Sequence, residues 1–242
     1  MKSEFCNSLY KKTFEYLNME LTDTILYKLE TYKNMLLKWN ENINLTAITN
    51  EDDIIIKHFV DSLECVRYIK KEQSVIDVGT GAGFPGLVVA IYFENKINLT
   101  LLDALNKRII FLQEVVNELN IKNVEIIHSR AEELGKNERY REKYDIVLAR
   151  AVANLPVLLE YTSPFAKING KCILMKGDNV LNEINVSKKS LNVLNCKIND
   201  IYSYNLVATN DEYKRNIIEI EKIDKTPQKY PRNYGQMLKH PL

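Results

Sequence analysis

The feature that most constrains the fold of this sequence is a regular alternation of short β-rich runs with amphipathic stretches after Lys71. The runs that predict strands are 74–78, 99–102, 124–128, 144–149 and 171–175. The stretches that predict helices are 87–93, 107–119, 155–165 and 180–194. Strands that alternate with helices in this way form a parallel sheet with helices on both of its faces.

The end of the alternation departs from this pattern. Two further strand candidates, 198–206 and 215–223, are separated by a short turn at 208–212, with no helical segment between them. Strands joined so closely must be antiparallel, because a parallel connection needs a crossover of about a dozen residues or more. The prediction is therefore an α/β, Rossmann-like, mostly parallel seven-stranded sheet that ends in an antiparallel hairpin. That is the outline of a class I methyltransferase and not of a symmetric dinucleotide fold.

The residues before the alternation predict a helical extension. The segment Leu21-Thr22-Asp23-Thr24 is expected to cap the start of a helix, just before an apolar stripe with spacings of three and four. The stripe consists of Ile25, Leu29, Tyr32, Leu36 and Trp39. A second helical stretch follows from Ile54 to Val66. We therefore predict a helical cap over 1–70, a methyltransferase domain over 71–224 and a basic tail over 225–242.

The composition places the chain among ordinary globular proteins. Its 242 residues, 45% hydrophobic and 27% charged, fit one large domain with an appendage. Apolar runs are far shorter than the roughly 18–20 residues of a membrane span, and the start lacks the pattern of a signal peptide. We expect a cytoplasmic monomer that binds no membrane.

Cysteine and histidine usage argues against disulfide and metal chemistry. No C-x-x-C or H-E-x-x-H motif occurs, and the three histidines are far apart in the sequence. The scattered cysteines are expected to be reduced, buried or half-buried thiols. They are Cys6, Cys65, Cys172 and Cys196. We expect no metal site.

Charge is distributed unevenly along the chain. The whole chain has a formal net charge of +1, but its last 18 residues carry four basic residues and no acid, which leaves −3 on residues 1–224. The four are Lys225, Lys229, Arg232 and Lys239. A basic segment on a neutral-to-acidic body is suited to gripping a polyanion, so we expect these four residues to contact RNA phosphates. A solvated chain end is the alternative.

A glycine-rich loop is the most informative local motif. The first strand leads into Gly79, Gly81 and Gly83, and a helix is predicted to begin near Phe84. Glycines at such a turn expose backbone N–H groups beside a helix N-terminus, where a polar ligand can pack against the main chain. Asp103 closes the next strand, where a carboxylate can accept hydrogen bonds from a ribose diol. Together these features predict a site for an adenosine-containing cofactor.

The spacing of the loop separates two cofactor classes. A dinucleotide fingerprint reads G-x-G-x-x-G and places a pyrophosphate over the loop. Here the pattern is Asp77-x-Gly79-x-Gly81-x-Gly83, with an acid two residues before the first glycine. That pattern resembles motif I of S-adenosylmethionine (SAM) methyltransferases, in which an acid can lie near the cationic amino-acid end of the cofactor. We therefore favour SAM, with S-adenosylhomocysteine as product, over a nicotinamide cofactor.

Motifs along nearly the whole chain resemble one family, the bacterial small-subunit rRNA methyltransferase G, also called glucose-inhibited division protein B. The first motifs are Trp39-Asn-x-x-Ile-Asn-Leu-Thr46, His58-x-x-Asp61-Ser62, Asp77–Gly86 and Leu102-Asp103-x-x-x-Lys107-Arg108. The later ones are Arg130-Ala-Glu132, Tyr144-Asp-x-Val-x-x-Arg150-Ala151, Lys176-Gly177 and Thr226-Pro-x-Lys-Tyr-Pro-Arg232. The resemblance implies a SAM-dependent enzyme that methylates N7 of one guanine in 16S rRNA.

The resemblance also implies roles for particular residues. Gly79 and Phe84 would touch the cofactor from the loop, and Asp103 would take the ribose hydroxyls. Ala131 and Glu132 would flank the adenine. Arg150, at the end of the fourth strand, would lie where the cofactor and the target base meet.

The chemistry agrees with this assignment. Guanine N7 has a free lone pair and no proton to lose, so its methylation needs alignment of the reacting atoms but no general base. The chain lacks the Asn/Asp-Pro-Pro-Tyr/Phe signal for exocyclic amines and has no cysteine placed to attack a pyrimidine. Arg150 occupies that place and can donate to guanine O6 or to phosphate. The residues expected to position the base are Arg150, His58, Asp61, Asn44 and Lys176.

Each of these residues also has a simpler interpretation. His58 and Asp61 could pair with each other on a surface or cap a neighbouring element. Arg150 could be the salt-bridge partner of Asp77 or Glu132. Lys176 could be solvated, and Asn44 could only shape a turn. Two rival functions stay open as well: an enzyme of the same fold with another RNA or a small acceptor, and a ribosome-associated protein that binds SAM without catalysis.

Overall fold

The computed structural model describes residues 2–208 and 211–242, with side chains from residue 8 onward. The helices before the sheet are α1 (Lys2–Tyr16), α2 (Asp23–Asn40), α3 (Glu51–Ile54) and α4 (Asp61–Leu63). The strands are β1 (Ser74–Val78), β2 (Asn98–Asp103), β3 (Val124–His128), β4 (Tyr144–Arg150), β5 (Ala166–Lys176), β6 (Cys196–Val207) and β7 (Glu212–Lys222). The later helices are α5 (Gly86–Phe93), α6 (Asn106–Glu118), α7 (Ala131–Leu134), α8 (Leu155–Thr162), α9 (Val180–Val186), α10 (Lys188–Val193) and α11 (Tyr234–Lys239).

Within the described residues, seven strands form one sheet in the order β3-β2-β1-β4-β5-β7-β6. The strands from β3 to β5 are parallel, whereas β7 lies antiparallel between β5 and β6. This is the predicted class I methyltransferase topology, which is therefore confirmed. All five parallel strands bring their carboxyl ends to the same edge of the sheet, and antiparallel β7 begins at that edge.

The sheet separates two hydrophobic cores, since neighbouring residues of a strand point to opposite faces. On one face, Val75 and Leu148 pack with α1, α2, α5 and α6. On the other, Ile76 and Val147 pack with α8, α10 and α11. The cores cross the domain boundaries predicted at residues 70 and 224, because the first includes Tyr10 and Tyr32 and the second includes Tyr230 and Met237.

The N-terminal helices follow the predicted pattern only in part. Within the predicted capping segment, the Thr22 side chain caps α2 by accepting a hydrogen bond from the backbone N–H of Ile25 at 3.1 Å. The second predicted helix is not uniform, because a π-helical turn at Ile55–Val60 separates α3 from α4, and a 3₁₀ turn at Glu64–Tyr68 follows. Such π turns are frequent at functional sites, and this one carries His58.

Two helices differ from the predicted bounds for local reasons. Helix α8 ends at Thr162, not at 165, since Pro164 has no N–H to continue it. The predicted helix over 180–194 divides into α9 and α10 at buried Ser187, whose hydroxyl donates to the Glu183 carbonyl at 2.6 Å. No described helix is both long and apolar enough to cross a membrane. Cys65, Cys172 and Cys196 are free and buried, as expected; the side chain of Cys6 lies outside the described ones.

The segment predicted as a basic tail is a packed strap. The Arg141 guanidinium donates to the carbonyls of Thr226 and Tyr230 at 2.7 and 2.9 Å. Buried Lys222 donates to the Ser163 carbonyl at 2.7 Å and to the Thr226 hydroxyl. Tyr230 and Met237 belong to the second core. Residues 225–242 are therefore part of the domain and not an appendage.

Candidate functional site

The glycine loop leaves the carboxyl end of β1. Gly79, Gly81 and Gly83 have φ angles of +71°, +63° and +102°, which L side chains rarely adopt. Helix α5 begins at Gly86, two residues later than the predicted start near Phe84. The Gly86 N–H donates to Asp77 Oδ2 at 2.8 Å, and the Thr80 hydroxyl donates to the same oxygen at 2.6 Å. Asp77 thus joins the end of the strand to the start of the helix.

Asp77 is fully buried, and burial raises the pKa of its carboxyl group to about 6. Its second oxygen, Oδ1, has no hydrogen-bond partner among the described residues. A buried carboxylate oxygen without a partner is costly. This oxygen fits a cationic or N–H-bearing group at the loop, which is the role predicted for Asp77 toward the amino-acid end of SAM.

The three glycines differ in the space around them. A Cβ at Gly81 would meet nothing within 4 Å, so the loop is open there. A Cβ at Gly79 would lie 2.8 Å from Cγ2 of Val152, and one at Gly83 would lie 2.5 Å from the Tyr32 hydroxyl. Gly83 is thus needed for packing of the loop against α2. Its predicted contact with the cofactor gains no support from these surroundings.

Asp103 lies at the end of β2, as predicted, but its carboxylate already has partners. Oδ2 accepts from the Gly81 N–H at 2.9 Å and from Arg108 at 3.2 Å, and Oδ1 accepts from the Leu105 N–H at 2.9 Å. A carboxylate oxygen has two lone pairs, so Oδ1 retains one for a ribose hydroxyl. Asp103 therefore also holds the loop in place, a role that its sequence position did not indicate.

Ala131 and Glu132 begin α7, directly beyond β3. Glu132 is buried, with Oε1 3.8 Å from the Arg130 guanidinium. Both residues are at the same sheet edge as the glycine loop, since β3 is parallel to β2 and β1. Their predicted position beside an adenine remains compatible with this placement.

A cleft of about 380 Å³ lies at the carboxyl ends of β4 and β5, next to the loop. Its charged lining residues are Lys57, Asp61, Arg150, Lys176, Glu183 and Arg215. Four cations against two carboxylates leave the lining electropositive. Since β4 lies between β1 and β5, Arg150 stands between the loop and the cleft.

Arg150 is held in place by the π turn and α4. Its Nη1 donates to Asp61 Oδ2 at 2.8 Å and to the carbonyl of Lys57 at 3.3 Å. The other Asp61 oxygen accepts from the Tyr204 hydroxyl at 2.7 Å. The suggested ion pairs of Arg150 with Asp77 or Glu132 are wrong, because the π turn brings Asp61 to it. Asp61 is 3% exposed, so it does not pair with His58 on a surface either.

His58 stacks on Phe84 with ring centroids 4.4 Å apart and planes 14° apart. Arg150 can only donate, so its Nη2, 3.3 Å from His58 Nδ1, implies that Nδ1 accepts and that Nε2 carries the proton. That Nε2 then donates to the Thr46 hydroxyl at 2.8 Å. Burial, reinforced by the Arg150 charge, lowers the pKa of His58 to about 3. The imidazole is therefore neutral at pH 7, with both nitrogens engaged.

Lys176 is not a solvated side chain. Its ammonium donates to the Ala153 carbonyl at 2.8 Å and lies 2.6 Å from Oε2 of Glu183. The same oxygen accepts from the Leu155 N–H at 2.7 Å. Asn44, by contrast, is exposed, forms no hydrogen bond with the described residues and does not line the cleft. The structure thus brings together Arg150, His58, Asp61 and Lys176, but not Asn44.

The predicted RNA-contacting residues are dispersed along the strap. Lys225 and Lys229 are exposed near the amino ends of β4 and β5, at the edge of the sheet opposite the cleft. Arg232 forms a bidentate pair with the buried carboxylate of Glu160, with nitrogen–oxygen distances of 2.8 and 2.9 Å. Arg232 is therefore engaged by the protein itself, and its predicted contact with RNA phosphate stays a prediction. Lys239 is exposed on α11.

Sequence reasoning missed several lining residues. Lys57 is next to His58, which was predicted. Arg215 and Glu183 lie in a predicted strand and a predicted helix, but the edge of the sheet at which these two residues would lie was not considered. The direction of β7 places its first residues at the carboxyl ends of the parallel strands, and that signal was available for Arg215. Nothing local marks Glu183. Within residues 2–208 and 211–242, no three His, Cys, Asp or Glu side chains are grouped to hold a metal ion.

Solved structures share this fold. A SAM-dependent methyltransferase from Aquifex aeolicus superposes with a TM-score of 0.53 and 19% identity, over 70% of this chain and 94% of that chain. M. jannaschii TYW2, solved in complex with AdoMet, gives a TM-score of 0.53 and 16% identity, over 67% of this chain and 75% of that chain. At these identities the likeness shows the fold alone.

Sequence relatives are much more similar. Ribosomal RNA small subunit methyltransferase G of Acetivibrio thermocellus is 49% identical over 93% of this chain and 91% of its own length. The protein of the same name from Alkaliphilus metalliredigens is 45% identical over 97% and 98%. A family model described as rRNA small subunit methyltransferase G matches residues 25–218. These matches confirm the resemblance found in the motifs: the chain belongs to the rRNA small subunit methyltransferase G family.

Proposed function

We propose that this protein transfers a methyl group from SAM to N7 of one guanine in 16S rRNA. The observation that carries the proposal is the electropositive cleft beside the glycine loop, in which the only histidine is neutral and engaged at both nitrogens. Attack by N7 needs no general base, so the proposal asks neither the neutral histidine nor the Glu183 carboxylate, which is paired with Lys176, to remove a proton. Family membership supports small-subunit rRNA as the substrate.

The residues that would hold the cofactor lie at the ends of β1, β2 and β3. The open space at Gly81 leaves room for it, and the unpartnered Oδ1 of Asp77 would accept a hydrogen bond from its amino-acid end. Asp103 would use the remaining lone pair of Oδ1 for a ribose hydroxyl. Ala131 and Glu132 would border the adenine. When bound, SAM supplies an electrophilic methyl carbon on a sulfonium.

The acceptor would occupy the cleft beyond Arg150. N7 attacks with its own lone pair, so a carbon–nitrogen bond forms as the carbon–sulfur bond breaks, and no proton moves. The task of the protein is then to align the two reacting atoms at about 3–3.5 Å. Arg150, fixed by Asp61, donates toward guanine O6 or a neighbouring phosphate and leaves N7 unprotonated. The positive lining also attracts the RNA backbone.

Mass spectrometry of 16S rRNA tests the reaction. Subunits from a strain that lacks the gene are incubated with the purified protein and SAM, and 7-methylguanosine is expected at one site. Another methylated nucleoside would reassign the acceptor to another atom or base. No methylation of naked RNA, assembly intermediates or finished subunits, despite SAM binding, would favour a small acceptor or a non-catalytic protein.

A substitution at Gly81 tests the cofactor site. Gly81→Asn keeps a left-handed conformation that Asn tolerates and fills space in which no protein atom lies. We expect SAM affinity, measured by calorimetry, to fall at least about 10-fold with little change in melting temperature, since roughly 1.4 kcal/mol corresponds to that factor. Gly235→Asn, at an exposed position of α11, is the control. Unchanged SAM affinity for Gly81→Asn would place the cofactor elsewhere.

A further inference from the structure

Lys176 and Glu183 form a donor–acceptor pair on the wall of the cleft. Lys176 ends β5 and Glu183 lies in the first turn of α9, and their side chains meet at 2.6 Å. Both side chains are largely but not fully covered, at 9% and 17% exposure. Both line the space that the acceptor base would enter.

Each member of the pair retains an unused hydrogen-bonding capacity. The Lys176 ammonium has three N–H groups, of which one points to the Ala153 carbonyl and one to Glu183. Glu183 uses Oε2 for both Lys176 and the Leu155 N–H, whereas Oε1 has no hydrogen-bond partner among the described residues. A free donor and a free acceptor therefore stand side by side at the cleft.

This arrangement matches one edge of guanine. Guanine carries an acceptor at O6 next to donors at N1 and at the exocyclic N2 amine, while adenine carries a donor at N6 next to an acceptor at N1. We propose that Lys176 donates to O6 and that Glu183 Oε1 accepts from N1–H and N2–H, so that the pair selects guanine. N7 is then left free for the methyl carbon, because neither Lys176 nor Glu183 forms a hydrogen bond with it.

The inference deepens the proposed function and rests on it. The alternative is a purely structural role, in which Glu183 only anchors Lys176 and the first turn of α8 through Leu155. The variant Glu183→Gln separates the two. Its amide oxygen can keep both existing bonds, but the free oxygen is replaced by an NH₂ donor that faces the donors of guanine.

The experiment uses subunits reconstituted with guanosine or inosine at the methylation site, since inosine lacks only the N2 amine. We expect kcat/KM of the wild-type protein to be roughly 10-fold higher for guanosine, within the range of one good base contact. For Glu183→Gln we expect this ratio to fall to about 1. A purely structural role of Glu183 would lower both rates equally and leave the ratio unchanged.

Glu219→Gln is the matched control. Glu219 also pairs with a lysine, Lys171 at 2.7 Å, but lies outside the cleft lining. The variant should therefore have the kcat/KM values of the wild type for both substrates, and the same guanosine-to-inosine ratio. A wild-type ratio near 1, or an unchanged ratio in Glu183→Gln, would overturn the inference. If the wild-type protein methylated neither substrate while it still bound SAM, the proposed function itself would fail, which is a different result.

Discussion

Two groups of four cations use the same residue types in different ways. The cleft group consists of Lys57, Arg150, Lys176 and Arg215. The strap group consists of Lys225, Lys229, Arg232 and Lys239. Each cation of the cleft group lies near a carboxylate, and all four converge on one space. In the strap group, three side chains are exposed without an ion-pair partner among the described residues, and Arg232 is tied to Glu160.

The direction of one strand separates the cleft group from Lys225 and Lys229. Lys239 lies elsewhere, on α11, whose Leu238 lines a pocket together with Asn154 and Glu183 at the carboxyl-end edge of the sheet. Strand β7 is antiparallel to β5, so Arg215 near its start lies at the edge that carries the cleft and Lys222 at its end lies at the opposite edge. The chain that follows must begin at that opposite edge. A count of basic residues along a sequence therefore indicates affinity for a polyanion but not the side of the fold that carries it. Topology decides which cations can reach the substrate.

Among substitutions that compare the two groups of cations, the largest loss of activity is expected at Arg150. Arg150→Lys removes the planar fork that contacts Asp61, the Lys57 carbonyl and His58 together, and lysine cannot reproduce it. We expect kcat/KM for subunit methylation to fall at least about 100-fold, or roughly 2.7 kcal/mol, while SAM affinity changes little.

Arg139→Lys provides the matched control. Arg139 pairs with Glu125 at 3.1 Å, but its side chain is 73% exposed and outside the cleft, and such pairs contribute little. We expect wild-type methylation from this variant. Equal, small losses in both variants would mean that Arg150 is only a structural cation, and the distinction between the cleft and the strap would lose its main support.

How far the sequence could predict the site follows from the same geometry. The residues expected to surround the cofactor lie within one contiguous loop and at the ends of adjacent strands, so alternation and glycine spacing locate them. The parallel sheet and its final antiparallel hairpin follow from local signals as well. The bond of Asp103 with the Gly81 N–H and the packing of Gly83 against Tyr32 were missed, because they depend on how the loop folds back on itself and on α2.

The cleft, where the acceptor base is proposed to bind, could not be predicted in the same way. Arg150 was placed correctly at a strand end, but its partner Asp61 comes from a π turn and α4, 89 residues earlier in the chain. Helical periodicity does not reveal a π turn, which shifts the facing of all residues after it. Glu183 reaches Lys176 only because α9 folds over the carboxyl end of β5. Such convergence of distant segments leaves no local pattern.

A second, intermediate effect is expected at Arg232. Arg232→Ala leaves the Glu160 carboxylate, which is 1% exposed, with only the backbone N–H of residue 232 as a donor. Breaking a buried pair from one side costs about 3–5 kcal/mol, so the free energy of unfolding should fall by about 3 kcal/mol. Denaturant unfolding measures this loss.

A compensating double variant shows whether the unpaired charge of Glu160 causes this loss of stability. Arg232→Met combined with Glu160→Leu should recover a large part of the stability, because an apolar replacement of a buried pair is often neutral. If Arg232→Ala instead kept its stability and lost RNA affinity with a flatter salt dependence, Arg232 would be a phosphate ligand. A cation of the strap group would then bind RNA, and the contrast with the cleft group would fail.

The smallest effect is expected for the exposed lysines of the strap. In a Lys225→Gln/Lys229→Gln variant, kcat/KM for subunits should stay within about 2-fold of the wild type, since a factor of two is only about 0.4 kcal/mol and neither ammonium faces the cleft. Lys57→Gln, the same change on the cleft wall, should lower kcat/KM more. Measured across salt concentrations, each lysine–phosphate interaction that the double variant removes would reduce the slope of log K against log salt by about 0.7–0.9. A slope reduced by two such interactions, with affinity more than 10-fold weaker, would mean that the RNA extends from the cleft around the domain to the opposite edge. Topology would then separate Lys225 and Lys229 from the cleft group without separating their function.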